Sequence, residues 1–290
     1  MVNINYKVHL TDSVPNQLPS FSLERPRVNQ KAIRDSVKRM KFKVPIATIA
    51  IKPEFRYVDN WTIYKHYQYT YAKNRKSGAV RFRDEIRHGK EADKSLKITE
   101  SKLDKIAREY ISETKFLREP VDQLSRVKIT YLKEQGASID GTKTEVIVLD
   151  AGVIYQKQIE NLPVIGAGGY AMINIAHDET VVAGEKLWRG TGKAEPKQKI
   201  ITPGEAKKEL EKRLNRRKIK KADVVTADFG YFEADVDYYQ RYIDPSYGFI
   251  FESKVGEITY SDAEIIPAVK NPKQKIQQLT RYKPPTLKRT

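Results

Sequence analysis

Residues 161–176, NLPVIGAGGYAMINIA, carry the reading on which the fold turns. Gly166, Gly168 and Ala171 spell G-x-G-x-x-A, a permitted form of the dinucleotide-binding fingerprint, and Asp178, Glu179 and Glu185 follow as candidate ribose-binding acids. That fingerprint works only where a helix starts directly after the glycines, because the pyrophosphate rests on the helix N-terminus. Here Ala171, Ile173 and Ile175 alternate with Met172, Asn174 and Ala176, the period of a strand. HDET (177–180) then supplies a turn, and VVAGEKLWR (181–189) resumes in extended form. No Lys-Ser/Thr pair follows the glycines, so a P-loop fails as well. The stretch therefore predicts a glycine-rich bend between strands, and no cofactor is expected.

Outward from this hairpin, one phrase recurs three times: a short amphipathic helix followed by strands. In 199–218 Thr202 is the N-cap, Pro203 takes N1, Glu205 completes a capping box, and Ala206, Leu210 and Leu214 form the apolar stripe. In 96–113 Thr99 caps, Ile98 and Leu103 form a hydrophobic staple, and Leu103, Ile106, Ala107, Tyr110 and Ile111 make the buried face. In 27–43 Asn29 caps, and Ile33, Val37 and Met40 face inward. β-rich segments follow each helix: WTIYKHYQYTYAKN (61–74), read as one strand with Trp61, Ile63, Tyr67, Tyr69 and Tyr71 on one face; 127–135 and 144–160; and 224–233, 239–254 and 256–261. Strands joined by turns rather than helices pair antiparallel. The expected fold class is α+β, tandem units of one helix packed on its own curved antiparallel sheet. The expected divisions are 1–93, 94–195 and 196–269, with a Pro- and Lys-rich basic tail at 270–290.

The order of these elements resembles PepSY-like and fungalysin/thermolysin propeptide (FTP) modules. Leu162, Pro163, Val164 and Gly166 match the modules' first strand, Asp178 with Val181 their hairpin turn, and Thr202, Glu205 and Ala206 their helix start. Asn161 stands where those modules usually carry Gly, and the turn reads DET rather than a D-G pair. The resemblance spans 96–261, and 27–88 only by analogy of pattern. It implies a cystatin-like fold and a non-catalytic role, inhibiting, chaperoning or sensing a peptidase-like partner, and it transfers no catalytic residue.

Bulk properties bound the function. The chain has 290 residues, 39% of them hydrophobic, enough for one large core or several smaller ones. It has no apolar run near the roughly 20 residues of a membrane helix, so a soluble chain is expected. MVNINYKVHLTDS (1–13) lacks the layout of a signal peptide, although a precursor could have carried one. The absence of cysteine removes disulfides, thiolate nucleophiles and Cys-based zinc sites. It fits the cytosol and equally bacterial secreted proteins that avoid cysteine; the expected location is extracellular or the cell envelope, with the cytoplasm as the alternative. The formal net charge of +17, from 54 Lys+Arg against 37 Asp+Glu, attracts nucleic acid, anionic lipid or acidic cell-wall polymers without choosing among them.

No side-chain pattern frames catalysis. His9, His66, His88 and His177 do not pair at helical spacing, and no nucleophile elbow or H-E-x-x-H motif occurs. Asp228, Glu233, Asp235, Asp237 and Asp244 lack calcium-loop spacing, and Arg241 is the expected partner of the loop acids. The tyrosines of 61–74 read as sheet packing rather than a stacking platform. The run KKELEKRLNRRKIKK (207–221) contains Glu209 and Arg213 as an i, i+4 pair, while Arg216, Arg217, Lys218, Lys220 and Lys221 have no acidic neighbour in sequence. With Lys283, Lys288 and Arg289 of the tail, these are the candidate polyanion contacts. Neither a metal nor a catalytic residue is expected. The functional expectation is a non-catalytic interaction protein with a protein partner; a basic nucleic-acid- or polyanion-binding or assembly protein is the alternative, and an enzyme using 161–176 ranks third.

Overall fold

A computed structural model describes residues 2–10, 13–40, 52–89, 95–117, 124–255 and 257–276. Strands make up 46% of the described residues and helix 16%. The protein is thus mostly β, and its contacts divide into two compact units.

The first unit joins Met1–Leu23, Thr191–Ala234 and Gln240–Thr290. It contains β1 (Asn3–Tyr6), β2 (Gln17–Leu18) and β3 (Phe21–Leu23). The second, Glu24–Gly190 with Asp235–Tyr239, contains α1 (Gln30–Arg39), β4 (Glu54–Val58), β5 (Trp61–His66), β6 (Tyr69–Asn74), β7 (Val80–Asp84) and α2 (Glu100–Thr114). It continues with β8 (Ser125–Glu134), β9 (Ile147–Gln156), β10 (Gln158–Ile159), β11 (Leu162–Ile165), β12 (Tyr170–Ala176) and β13 (Val181–Lys186). The chain then returns to the first unit for β14 (Thr191–Ala194), β15 (Gln198–Lys199), α3 (Pro203–Arg216), β16 (Lys221–Phe232), β17 (Tyr242–Val255) and β18 (Ile258–Pro267).

In the second unit one eight-stranded antiparallel sheet runs β4-β5-β6-β7-β13-β12-β9-β8. Both α1 and α2 bury their apolar residues in a single core with it: Ile33, Leu103, Ala107 and Ile111 meet Tyr64, Tyr71, Phe82, Val153, Tyr155 and Ile173. This overturns the expected α+β class of tandem helix-on-sheet units. The joint is β7 on β13, where Val80 pairs with Lys186 and Arg83 with Ala183, so strands expected in two separate sheets continue one another. Two helices share one sheet because β5, β6 and β7 with β13, β12 and β9 expose a common apolar surface to both.

The stretch 61–74 is also not one strand. Tyr67 takes a left-handed φ of 51° and turns the chain, so β5 and β6 pair with Tyr64 opposite Tyr71. Thr62, Tyr64, Tyr69 and Tyr71 are buried on one face, while Trp61 and Ile63 lie half-buried on the opposite face, the Trp61 ring under the Arg81 guanidinium at 4.8 Å.

The first unit is assembled from distant segments. β1 lies parallel to β16, β16 and β18 flank β17 antiparallel, and β3 bridges the start of β17 to β14. The helix α3 buries Ala206, Leu210 and Leu214, as its stripe foretold. The short pair β15–β2 completes the pairing. Among the described residues no helix is long and apolar enough to cross a membrane.

Candidate anion-binding cleft

The opening motif is structural. Gly166 and Gly169 have φ values of 101° and 86°, and a Cβ on Gly169 would stand 2.6 Å from Val164 Cγ1. One residue later β12 begins and pairs with β13, so the glycines form a bend into a hairpin and precede a strand, not a helix. Before the bend, Glu160 and Asn161 both have positive φ and close the two-residue β10–β11 hairpin in the geometry of a type I′ turn.

The remaining sequence candidates scatter. His9 and His177 are exposed, His66 packs edge-on to Tyr64, and His88 bonds through Nδ1 to Asp150 at 2.7 Å. The buried Asp150 also accepts the Gly89 N–H at 2.8 Å, so the pair fastens the end of β7 to β9. Among the described residues no group of three His, Asp or Glu could hold a metal. The carboxylates of 228–244 serve separate ends. Asp237 accepts from Asn74 Nδ2 at 2.9 Å. Asp244, buried, accepts from the Ser20 hydroxyl and the Gln274 N–H at 3.0 Å. Asp178 is paired with Arg87; partial burial opposes its charge, but bonds from Thr180 and the guanidinium hold its carboxyl below the usual range.

The basic run after α3 is only partly available. Arg217 pairs with Asp262, and with Glu264 at 2.8 Å, on β18, and stacks over Phe251 at 5.5 Å. Burial disfavours its charge, yet the two carboxylates outweigh that and hold its pKa above the ordinary value. Arg216 reaches Glu209 at 3.4 Å. The expectation that both lack an acidic neighbour is therefore corrected: their partners lie 47 residues ahead in the sequence, at Glu264, and 7 behind, at Glu209. Lys218, Lys220 and Lys221 are exposed. Lys283, Lys288 and Arg289 lie outside the described residues.

Sequence reasoning missed a second basic locus, a cleft of about 490 Å³ in the second unit. Among the described residues six cations line it, Arg25, Arg27, Arg39, Lys73, Lys115 and Lys186, against one acid, Glu24. Arg25 and Arg27 come from the segment before α1, Arg39 from its last turn, Lys115 from the C-cap of α2, Lys73 from β6 and Lys186 from β13. Arg25, Arg27, Arg39 and Lys115 are exposed, and Lys73 and Lys186 half-buried. Arg39 and Lys115 have a structural use, since cations offset the negative ends of helix dipoles; the other four come from extended segments where no dipole asks for them. Deeper in the cleft lie Ser36, Ser77 and Tyr71, with Tyr71 hydrogen-bonded to Ser36. Burial pushes the Tyr71 phenol up, so it stays a proton donor at neutral pH. The arrangement concentrates positive charge around buried hydroxyl groups, which suits capture of an anion. Its residues span 24–190, so no local motif could have disclosed it.

No family model matches the chain, and no curated protein matches it. Among solved structures, the crystal structure of an uncharacterized protein from Eubacterium rectale is similar at 10% identity, with a TM-score of 0.58, over 95% of this chain and 90% of that one. The likeness shows a shared fold, spanning nearly all of both chains.

Proposed function

We propose that the protein is a non-catalytic binding protein that holds a polyanion in the cleft of its second unit. The observation that carries this reading is the convergence of six cations and one acid, from five separate elements and segments, on one concave surface. A chain of +17 steers anions broadly, whereas a concave cationic surface gives them a place to stop. An extracellular or envelope setting, where acidic polymers are abundant, fits this role. Binding of a labelled polyanion, followed by fluorescence anisotropy as salt is raised, tests it. Affinity should fall steeply with salt, and replacing both Arg25 and Arg27 by Gln should reduce the log–log slope by about 1.4 to 1.8. A slope unchanged by those replacements would remove the cleft from the reading.

A protein partner, the role implied by the PepSY resemblance, is the second reading, favoured by β8. Among the described residues this ten-residue strand ends the sheet, bonded on one side only, to β9, and exposes Val127, Tyr131 and Leu132. Strand addition there would rest on backbone hydrogen bonds and would survive high salt.

A further inference from the structure

Resting on the polyanion reading, we infer that the ligand of the cleft is an acidic glycan, a flexible sugar chain bearing carboxylate or sulfate groups, and not a nucleic acid. The size of the cleft is the first ground. A volume of about 490 Å³ belongs to the range of small-molecule pockets, the size of a few sugar rings or one nucleotide.

The second ground is the state of its aromatic side chains. Single-stranded nucleic acids gain most of their sequence-tolerant affinity by stacking bases on presented rings. Among the described residues the cleft contains two rings, Tyr71 at 2% exposure and Phe116 at 5%, both buried in the core, Phe116 edge-on to Phe82 at 5.2 Å. Among the described residues, a base entering the cleft would meet cations and hydroxyls but no exposed aromatic ring to stack on.

What the cleft does present matches an acidic sugar. Arg25, Arg27, Arg39 and Lys115 are exposed at its surface and provide charge-assisted bonds to carboxylate or sulfate oxygens. The Ser77 hydroxyl lies beneath them and accepts from the Ala79 N–H at 3.2 Å.

A competition experiment on the full chain separates the outcomes. A labelled heparin oligosaccharide is the probe, displaced by unlabelled oligothymidylate or duplex DNA of equal charge at one fixed salt concentration. The expected result is displacement by either nucleic acid at least about tenfold weaker than by unlabelled heparin. The variant R25Q/R27Q/K115G should bind the probe about tenfold or more weakly, and K218Q/K220Q/K221Q should bind it nearly as well as the parent. Melting temperatures of both variants check that the fold persists, and Lys115→Gly is chosen because Lys115 holds a left-handed φ of 51° that glycine adopts without strain. Equal or tighter binding of oligothymidylate, lost in the cleft variant, overturns the glycan assignment and leaves the polyanion reading standing. No binding of any probe at low salt overturns both. Loss confined to the α3-run variant moves the site out of the cleft.

Discussion

Three residues show how single side chains set local stability. Asn74, fully buried, closes the β6–β7 turn by accepting the Lys76 and Ser77 N–H groups at 2.8 and 3.0 Å while donating to Asp237. Asn74→Ala strands two amides and should destabilise the protein by about 3 kcal/mol in denaturant titration, and Asp237→Ala, which removes a single acceptor, by about 1 kcal/mol. Gly184 lies opposite Phe82 in the β7–β13 pair, and a Cβ there would approach Phe82 Cε1 to 2.4 Å. Gly184→Ala should cost about 1–3 kcal/mol by overpacking, visible as a lowered melting temperature. Lys115→Gly should move the other way, gaining about 1 kcal/mol as the left-handed cap loses its Cβ. At this scale the sequence was partly legible. The glycine bend at 166–169 announced itself, but Glu160, Asn161 and Tyr67 adopt positive φ under pressure from strand pairing on both sides, which no residue type foretells with certainty.

The helices are the most legible elements because their signals are local. Thr99, Asn29 and Thr202 each cap as their positions demand, and the Thr202–Glu205 capping box is complete in both directions. Thr202→Ala should lower stability by about 1 kcal/mol. The Glu205 carboxyl is held below its ordinary pKa, first by the Thr202 N–H and then by the Thr202 hydroxyl. A depressed folded pKa means the contribution is present above the ordinary glutamate value of 4.5 and fades as pH falls through the lower folded value. Acid titration of Thr202→Ala against the parent should therefore show a difference that narrows below that pH. At its other end α3 is tied to β18 by Arg213 and Arg217, which share the buried Glu264. Arg217→Ala leaves that carboxylate with one partner and should cost about 2 kcal/mol, with little sensitivity to salt because the pair is shielded from solvent. The sequence could not show this pairing. Asp262 and Glu264 become neighbours of the basic run only when β18 folds back onto β17, so a stretch that reads as uncompensated charge is half neutralised in three dimensions.

For the whole chain, the division into units followed from pairing that periodicity does not encode. Strand period revealed which residues are extended, but not that β7 would meet β13 or that β3 would meet β17. The same non-locality governs kinetics: the Asn3–Lys221 and Phe21–Ile243 pairs close very long loops, so refolding should be slow, with the first unit completing after the second in hydrogen-exchange pulse labelling. Deleting residues 1–23 removes β1, β2 and β3, and should abolish protection across β14, β16 and β17 while leaving the β4–β13 sheet protected. Retained protection of β17 in that deletion would show that its pairing with β16 and β18 suffices. During synthesis the same path acquires a clock. Ribosomes add about 5–20 residues per second, so β3 leaves the exit tunnel on the order of 10–40 s before its neighbour β17. Throughout that interval the second unit can complete its sheet in front of an unpaired leading segment, and the nascent chain must keep that segment from finding a wrong strand.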